Sequence, residues 1–403
     1  MSKKRLALIT VWFPPNNGVA VNRMKSFAKY LGESYELEVF TLGETRKTED
    51  QPFGKVHYFP SNSFLEKHKH TGSDSKVKHK LKSGMNILAM KLNVSKYSDW
   101  QKSALQKLQE RHTIEAFDVL ISSFSPVEAH EVAFQLKKNH PDIKWIADMR
   151  DEMSLNPLAI ETVRKTLRKK EQRFANHITA VTTVSKPILD DFVKIFPNVK
   201  YFEEVRNGYD HTIEPESGFN EKFTMVYAGT FYGKIKPDLF LEQLSLLMKE
   251  GTIGDDISIR FVGTSKNFNL PIDLEKYAEF VAKVPYLKAV EIMKDADCNL
   301  LFCPPFDAMG RYTGKLFDYL SVEKPILAMI DKKDVGADLI EEHQGGFVAD
   351  FYNEEEIREM LIKAYTLWKN KERLPISREK TNQLHRKHQV EKLKQLIEKI
   401  STS

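Results

Sequence analysis

Short apolar segments alternate with amphipathic segments along most of this chain of 403 residues. The first apolar segment is Leu6–Val11, and the stretch from Asn22 to Leu31 carries apolar residues at the spacing of one helix face. The alternation continues to a last helix at about Glu354–Lys369. Because strands that alternate with helices pair in parallel, the pattern predicts an α/β fold of doubly wound parallel sheets with helices on both faces.

One stretch breaks the alternation. His211–Lys222 is polar, contains Pro and Gly and shows no periodicity, so we interpret it as a linker. The sequence then predicts Rossmann-like domains at residues 1–210 and 223–375, followed by a C-terminal helical segment at 376–403. Within that segment, one helix face carries the apolar residues Val390, Leu393, Ile397 and Ile400.

Composition excludes several classes of protein. Hydrophobic residues make up 41% and charged residues 29%, which is typical of a soluble globular protein. No apolar stretch reaches the roughly 18–20 residues that span a bilayer. Leu6–Val11 follows a basic start but is too short for a signal peptide, and no small-residue cleavage site follows it. Only two cysteines occur, Cys298 and Cys303, so a disulfide framework is excluded and we expect a cytoplasmic protein.

The charge is mild overall but uneven. A net charge of +5 without a reader motif does not predict nucleic-acid binding. Ser63–His112, however, holds eleven Lys and Arg against four acids, which gives this segment +7. Such a segment could rest on anionic lipid headgroups, where each nearby cation contributes about 1 kcal/mol. It could equally be a solvated loop and helix face.

Ligands of open α/β sheets bind at the carboxyl ends of the strands, so the residues after each strand are candidates. Gly18 lies between the first strand and the first helix, where backbone N–H groups can approach an anion; a simple tight loop is the alternative. Gly229 and Thr230 follow a second-domain strand, with Lys234 and Lys236 just beyond. They could hold a diphosphate, or the lysines could simply be solvated.

The segment Thr313–Leu320 is the sharpest motif in the sequence. Gly314 and Lys315 open a helix, where free N–H groups and the helix dipole favour phosphate. Asp318 lies on the same helix face and could accept hydrogen bonds from a ribose diol. A capped helix with a Lys–Asp surface pair is the alternative.

The first domain and the Asp-x-Asp motif supply further candidates. Asp148, Arg150 and Asp151 end a strand, where they would form either a catalytic group or a structural ion-pair cluster. His130, at the second turn of the helix after Ser125-Pro126, is either catalytic or a satisfied structural residue. Asp295–Asp297 matches Asp-x-Asp, but it closes a helix before a buried strand and is interpreted as a turn. No other cluster has ligand spacing, so no metal site is predicted.

Taken together, these residues resemble the bacterial family 4 glycosyltransferases of the GT-B fold, in the branch that builds surface polysaccharides. The matching pieces are, in chain order, Trp12–Pro15 with Gly18, Ser122–Pro126 with His130, Asp148–Asp151, Thr183–Ser185, Asn207–Asp210, Tyr227–Thr230, Phe261–Gly263, Ala296-Asp297, and Thr313–Leu320 with Lys324–Ile326. They cover nearly the whole chain. The resemblance implies two Rossmann-like domains facing across a cleft, with a C-terminal helix that crosses back to the first domain.

The resemblance also implies roles for individual residues. The second domain would hold the nucleotide-sugar donor and the first domain the acceptor. Gly229, Thr230 and Lys315 would meet the diphosphate, Asp318 the ribose, and the stretch around Val284 the base. The remaining donor-site candidates from the matching pieces are Gly18 (approaching from across the cleft), Gly263, Thr313 and Gly314. The catalytic candidates are Arg150, which matches the place of a histidine in many relatives, together with Asp148, His130 and Lys315.

Two departures from the family pattern stand out. The family often carries a Glu-x7-Glu motif, whose second acid is here Asp318, one methylene shorter, and whose first position falls on Gly310. The missing carboxylate bears on the donor-sugar contact. Lys234 or Lys236 would also have to replace a cation that is commonly Arg in relatives, and Lys is a weaker bidentate partner.

The implied activity is a retaining, metal-independent hexosyl or N-acetylhexosaminyl transfer without a cofactor. The donor would be a nucleotide-sugar, with UDP favoured, and the acceptor a glycan or lipid-linked sugar of capsule, exopolysaccharide or O-antigen synthesis. The protein would then be cytoplasmic or peripheral at the inner face of the membrane. Two alternatives stay open: a GT-B epimerase of UDP-sugars, and a catalytically inactive nucleotide- or glycan-binding protein.

Overall fold

A computed structural model describes residues 3–61, 95–212, 214, 218–305 and 309–402 of the chain. The chain divides into two compact units. Unit 1 comprises Met1–Arg206 together with Gln389–Ser403, and unit 2 is Asn207–His388. Among the described residues, no helix is long and apolar enough to cross a membrane.

Unit 1 is built on one sheet. Its strands are Arg5–Ile9 (β1), Glu36–Leu42 (β2), Lys47–Gln51 (β3), Gly54–Phe59 (β4), Val119–Phe124 (β5), Lys144–Met149 (β6), Ala180–Thr183 (β7) and Tyr201–Glu204 (β8). The helices between them are Val19–Leu31 (α1), Ser98–Ile114 (α2), Glu128–Asn139 (α3), Glu161–Phe174 (α4) and Lys186–Ile195 (α5). The strand order is β3-β4-β2-β1-β5-β6-β7-β8, and β3 alone is antiparallel to its neighbour. The chain order therefore reverses between β1 and β5, which is where such sheets bind ligands.

Both faces of this sheet are covered. All five residues of β1 are buried, because a strand between two helical layers has no solvent face. One layer packs Trp100, Trp145 and Phe174 around α2, α3 and α4. The other packs Met24 and Phe27 of α1 against the opposite face. Each fully buried side chain of this size contributes about 1.5–3 kcal/mol, so the two layers fix the strand ends firmly.

Unit 2 repeats the plan with a smaller sheet. Its strands are Phe223–Ala228 (β9), Ile257–Val262 (β10), Ala278–Val281 (β11), Cys298–Cys303 (β12), Ile326–Ile330 (β13) and Gly346–Ala349 (β14). Its helices are Asp238–Lys249 (α6), Tyr286–Lys294 (α7), Gly314–Ser321 (α8), Val335–Glu342 (α9), Glu354–Asn370 (α10) and Arg378–Gln383 (α11), with a 3-10 turn at Ile272–Tyr277. The order β11-β10-β9-β12-β13-β14 is parallel throughout and reverses between β9 and β12.

The last helix, Arg386–Ser401 (α12), runs from the end of unit 2 into unit 1. Its buried residues Val390, Leu393 and Ile397 join the apolar layer that also holds Leu6 and Leu8 of β1. The Gln389 side-chain oxygen accepts a hydrogen bond from the Arg206 N–H at 2.8 Å. The apolar face that the sequence indicates is thus a packing face against the first sheet.

The predicted α/β class, with two parallel-sheet units, is confirmed. Residues 211–222, which we interpreted as a linker, fall within unit 2. His211 is 7% exposed, and the Asn220 N–H donates to Asp297 at 3.1 Å. These polar residues are held by partners far along the chain, and nothing in their local sequence announces those partners.

Candidate functional site

The predicted donor-site motifs of unit 2 lie at the carboxyl edge of its sheet. They occupy the turns that follow β9 and β10 and the loop that precedes α8. Gly229 follows β9 directly and its N–H donates to the Val262 carbonyl at 2.8 Å. Gly263 follows β10, and its N–H bonds the Val281 carbonyl at 2.9 Å. Since β9 lies where the chain order reverses, this edge is the expected ligand position in an open α/β sheet.

Gly229 and Lys315 lie in close contact. Gly229 has φ = 132°, a conformation that favours glycine, and a Cβ atom there would lie 2.4 Å from Lys315 Cε and 2.7 Å from Nζ. A side chain at this position would therefore push Lys315 away. The structure brings together two residues that lie 86 positions apart in the sequence and that the motif analysis assigned to one site.

Lys315 is a partly buried cation for which the described part of the chain offers no acidic partner. Its Nζ donates to the Tyr227 hydroxyl at 2.5 Å and lies 4.1 Å from the centre of that ring. Among the described residues, no carboxylate lies within ion-pair distance of it. Burial lowers the pKa of Lys315 from 10.5 to about 8, which the nearby Cys303 only partly offsets. An anion bound here would restore the missing counter-charge.

The start of α8 adds to this positive site. The helix begins at Gly314 after Thr313, which makes no side-chain capping hydrogen bond, and its first turn contains no acid. The first N–H groups of a helix have no intrahelical partner and carry a partial positive charge. Gly314 and Lys315 thus supply backbone donors as well as an ammonium group, as the motif predicts.

Asp318 is engaged by another side chain. The Tyr286 hydroxyl lies 2.6 Å from Asp318 Oδ1 and 3.1 Å from His211 Nδ1. On its other side, His211 Nε2 lies 2.8 Å from the Ser321 hydroxyl. Burial raises the pKa of Asp318 to about 6, although Tyr286 and Arg386 both act to lower it. Burial likewise lowers the pKa of His211 to about 4.

The other donor-site candidates are more peripheral. Thr230, Lys234 and Lys236 are exposed, and the side chains of these three residues have no partner in the described part of the chain. The Thr230 carbonyl accepts a hydrogen bond from Tyr227 at 3.2 Å. Val284 is partly buried and packs against the apolar layer formed by α7 and α8.

Gly310, the position of the absent first acid, has a physical reason to be glycine. Its φ is 89°, which is costly for any other residue, and its N–H donates to Asp334 Oδ1 at 2.7 Å. Asp334 also caps α9 by accepting the Val335 N–H at 2.8 Å. A glutamate at 310 would therefore strain a backbone that the cap of the next helix holds.

In unit 1, the predicted residues lie at two depths. Gly18 is exposed, just before α1, and has φ = 135°. Arg150 is partly buried after β6, and its Nη2 donates to the Ser125 carbonyl at 3.1 Å. That carbonyl also accepts the Trp12 indole N–H at 2.6 Å. Burial lowers the pKa of Arg150, opposed by Asp151 and Asp148.

Asp148 lies in the interior with all its hydrogen-bonding capacity used. It is 0% exposed and accepts from Arg23 Nη2 at 2.7 Å, from Ser123 at 2.8 Å and from Thr182 at 2.8 Å. Burial acts to raise the pKa of Asp148, but Arg23 and the two hydroxyls hold it below its usual value. This placement does not suit a residue that contacts substrate, and it matches the structural ion-pair alternative.

His130 is also in the interior, at 0% exposed. Its Nδ1 lies 2.7 Å from the Ser122 hydroxyl, which accepts the Trp145 indole N–H at 2.7 Å. Its Nε2 faces the Met149 sulfur at 3.2 Å. Since Ser122 must then donate to Nδ1, the neutral Nε2–H tautomer fits the network. Burial lowers the pKa of His130 to about 3, so the ring stays neutral. Because the side chain has no exposed surface, its placement does not suit direct contact with a ligand.

Asp297 has a structural partner set. Its carboxylate accepts the Thr224 N–H at 2.8 Å and the Asn220 side chain at 3.1 Å, which ties β9 to the start of β12. In the part of the chain that the structure describes, no group of three or more His, Cys, Asp or Glu side chains could hold a metal ion.

Residues 63–94 of the basic segment lie outside the described residues. The remainder includes α2, where Arg111 points inward and donates to the buried Glu38 at 2.8 Å. Lys107 pairs with Glu110 at 2.6 Å. Arg111 is therefore part of a structural ion cluster and is not available to lipid headgroups.

Sequence reasoning missed Tyr227, Tyr286, His211 and Arg23, the side chains that hold the predicted residues in place. In the sequence, Tyr227 and Tyr286 cannot be distinguished from ordinary aromatic residues of a strand and a helix. Arg23 gives no local signal either, because its partner Asp148 lies 125 positions away. The only usable signal was position, since Tyr227 precedes the Gly229 turn and Tyr286 directly follows Pro285.

Comparisons with known proteins find similarity in structure alone. No family model and no curated protein sequence matches the chain. Sucrose-phosphate synthase from Thermosynechococcus elongatus superposes with a TM-score of 0.58 at 10% identity, over 99% of this chain and 97% of that one. S. aureus TarM, solved with UDP, gives 0.57 at 10% identity over 98% and 99%. UDP-GlcNAc 2-epimerase from Methanocaldococcus jannaschii gives 0.52 at 11% identity over 98% and 99%.

These neighbours share one architecture, in which each of two units is a parallel sheet between layers of helices. At such low identity the likeness concerns the fold and not the reaction. The chain therefore has the GT-B fold.

Proposed function

We propose that the protein is a glycosyltransferase that moves a sugar from a nucleoside diphosphate sugar, with UDP as the preferred nucleotide. The observation that carries this proposal is Lys315, a partly buried ammonium group at a helix start without a described acidic partner. Burial lowers the pKa of Lys315, because the ammonium form loses hydration there and the described residues supply no acid to compensate. A diphosphate supplies two negative charges to this point and also accepts the free N–H groups of α8.

The rest of the donor would extend along unit 2. Asp318 lies one turn beyond Lys315 on α8 and would accept the ribose hydroxyls. Thr230 and the exposed Lys234 and Lys236 would border the diphosphate, and Gly263 and Val284 the base. Two structural neighbours support this choice, since TarM was solved with UDP and the M. jannaschii enzyme is named for a UDP-sugar.

Unit 1 would hold the acceptor, a glycan or a lipid-linked sugar of surface-polysaccharide synthesis. Arg150 is the candidate contact, because it is partly exposed at the end of β6, and Gly18 borders the same sheet edge after β1. Asp148 and His130 are buried, so we assign them positioning roles beneath that edge. Asp148 would fix the end of β6 just before Arg150 through its bonds to Arg23, Ser123 and Thr182. His130 contacts Met149, the residue between Asp148 and Arg150.

The chemistry would be electrostatic. When the bond between sugar and diphosphate breaks, negative charge grows on the leaving oxygen, and Lys315 with the N–H groups of α8 would stabilise it. A preorganised donor of this kind contributes about 3–4 kcal/mol in known enzymes. We propose that the anomeric configuration is retained and that no metal is required, because the Lys315 ammonium group and the N–H groups of α8 would supply positive charge to the diphosphate.

The test is a panel of nucleotide-sugars with and without candidate acceptors, read by release of UDP and by NMR of the product anomer. Wild-type protein should release UDP only with acceptor, and Lys315→Met should lose at least about tenfold of that rate. Lys363→Ala, an exposed lysine paired with Glu359 on α10, is the matched control. Equal rates for wild type and Lys315→Met would contradict the proposal.

Epimerisation of a UDP-sugar is a second candidate, because an epimerase shares the fold over nearly the full length of both chains. The same panel separates the candidates. An epimerase converts the sugar without releasing UDP. A catalytically inactive nucleotide- or glycan-binding protein does neither, but UDP raises its melting temperature.

Association with an anionic membrane through Ser63–His112 remains part of the proposal, with Arg111 removed from the contact set. Flotation with liposomes of zwitterionic lipid, with and without anionic lipid, tests it. If the same share of protein floats with liposomes of either composition, the membrane contact is excluded. The donor-site proposal does not depend on this result.

A further inference from the structure

Asp318 lies at one end of a chain of side-chain hydrogen bonds that the donor-site motif does not explain. The chain runs from Asp318 Oδ1 to the Tyr286 hydroxyl at 2.6 Å, to His211 Nδ1 at 3.1 Å, and from His211 Nε2 to Ser321 at 2.8 Å. The Ser321 hydroxyl also lies 2.6 Å from the Asp318 carbonyl, to which it can donate when it does not donate to His211. The four residues come from three separate parts of unit 2 and meet around one carboxylate.

We propose that Tyr286, His211 and Ser321 form a relay that orients Asp318 and couples its protonation to ribose binding. This inference rests on the proposed function, because it assigns Asp318 to the ribose of the donor. Asp318 would be the group that contacts the ligand. The other three are positioning residues, and Tyr286 is the link between them and the carboxylate.

Two complete hydrogen-bond arrangements fit these distances. With Asp318 ionised, His211 Nδ1–H donates to Tyr286, Tyr286 donates to Asp318, and Ser321 donates to His211 Nε2. With Asp318 protonated, every donor reverses, and Ser321 turns to the Asp318 carbonyl. His211 changes tautomer between the two and stays neutral in both. The relay can therefore take up one proton at Asp318 while each contact from Asp318 through Tyr286 and His211 to Ser321 keeps one donor and one acceptor; the Ser321 bond to the Asp318 carbonyl forms only in the protonated arrangement.

Only the ionised arrangement suits a ribose diol. In that arrangement, the Tyr286 hydroxyl donates to one lone pair of Asp318 Oδ1. The other lone pair of Oδ1 and both lone pairs of Oδ2 are then left for two hydroxyl donors. A protonated Asp318 offers fewer acceptor sites. The shorter side chain of aspartate also has less reach than glutamate, so its orientation matters more. Tyr286 as a whole residue is 46% exposed, although its hydroxyl is hydrogen-bonded to Asp318.

Other charged and titratable groups surround the relay. Arg386 acts on both Asp318 and His211, where it favours the ionised acid and the neutral ring. His385 and Asp210 act on His211 with opposite signs, and His211 also packs on the Tyr209 ring at 5.1 Å. Tyr319 is buried next to Asp318 on α8. This setting keeps the titrating proton on Asp318 and away from His211, whose pKa is lowered to about 4.

The experiment compares UDP with 2′,3′-dideoxy-UDP by calorimetry between pH 5 and pH 8. Both probes carry the same titrating phosphates, so the ratio of their affinities isolates the diol. Wild-type protein should prefer UDP by at least on the order of a hundredfold at pH 7.5, as two hydrogen bonds to a charged acceptor predict. The preference should fade as the pH falls below about 6, where Asp318 takes up a proton.

Tyr286→Phe keeps the ring and removes only the hydroxyl. Since Tyr286 lowers the pKa of Asp318, its loss should move the fading of the preference to higher pH. At pH 6.5 the variant should have lost about three- to tenfold of the diol preference, the effect of one hydrogen bond. Ser321→Ala should move it less in the same direction. Tyr352→Phe, which changes an exposed tyrosine three residues after β14, is the matched control and should follow wild type.

The outcomes separate the relay from the proposed function. If Tyr286→Phe and wild type show the same pH dependence of the diol preference, the relay is wrong and the donor site stands. If wild type binds neither probe, the proposed function is wrong. Carbon-13 NMR of the Asp318 carboxyl, recorded without nucleotide, then tests the relay alone: an unchanged midpoint in Tyr286→Phe would overturn it.

Discussion

The carboxyl edges of the two sheets hold buried charges in opposite arrangements. In unit 1, Asp148 is paired with Arg23 at 2.7 Å and bonded by Ser123 and Thr182, so its charge is fully compensated by the fold. In unit 2, Lys315 has a tyrosine hydroxyl and no described acid. The first arrangement is that of a structural support, and the second is the one that the proposed diphosphate site requires. Asp148 is fully buried in β6 and Lys315 is partly buried at the start of α8, and only Asp148 has an oppositely charged partner among the described residues.

The largest effect should come from breaking the compensated pair. Asp148→Ala leaves the Arg23 guanidinium buried without its partner, and we expect a loss of about 3–5 kcal/mol in the free energy of unfolding. Urea denaturation measures it. Asp190→Ala, which removes an exposed pair with Lys186 in the same unit, should cost less than about 1 kcal/mol. Comparable losses in both variants would erase the contrast between the units.

Lys315→Met should behave in the opposite way. Removing an unpaired, partly buried ammonium group relieves its desolvation, so the free energy of unfolding should stay within about 1 kcal/mol of wild type or rise. UDP-dependent transfer should fall by at least about tenfold. The variant should therefore keep its free energy of unfolding and lose its rate of UDP release. A variant that loses stability and keeps its rate would show that Lys315 supports the fold instead.

Gly229→Ala sharpens the comparison by displacing Lys315 without changing its charge. The new Cβ would collide with Lys315 Cε, and we expect UDP to bind about threefold to tenfold more weakly, the effect of losing about one hydrogen bond. Gly251→Ala is the control, because it shares a positive φ of 73° but has nothing within 4 Å of the added atom. If both variants weaken UDP binding equally, backbone strain and not displacement of Lys315 is responsible.

The smallest expected effect is on pH dependence. Phosphate binding needs the ammonium form of Lys315, whose pKa is about 8, so raising the pH from 7 to 8 should weaken UDP binding by about twofold. Without ligand the sign for stability is reversed. The unfolded chain holds the proton up to about 10.5, so the contribution of Lys315 to the free energy of unfolding rises between pH 8 and 10.5. Calorimetry on wild type and Lys315→Met checks both.

The fold could be predicted because its signal is local and repeated. Apolar segments such as Leu6–Val11 match strands to within two residues, β1 being Arg5–Ile9. Not every strand carries such an apolar pattern. Lys47–Gln51 is almost entirely exposed, and it becomes a strand only because it pairs antiparallel with β4. Tertiary pairing and not propensity decides such a segment.

The candidate site could be predicted only in part, for the same reason. The Gly229 turn and the start of α8 are local motifs, and the structure brings them into contact. Whether a charge is free or paired depends on residues far away in sequence. Asp148 and Lys315 look alike as charged residues at element ends, and only Arg23, across 125 positions, distinguishes them. His130 and Asp148 therefore received contact roles that their burial does not suit.

The path of α12 has a consequence for how the chain is made. The first 206 residues leave one face of their sheet without the apolar side chains of Leu393 and Ile397, which follow the whole of unit 2. As the ribosome delivers the chain in order, unit 2 is contiguous and can reach its native state before unit 1 is finished. We therefore expect nascent chains that stop at His388 to need a chaperone for the first unit and not for the second.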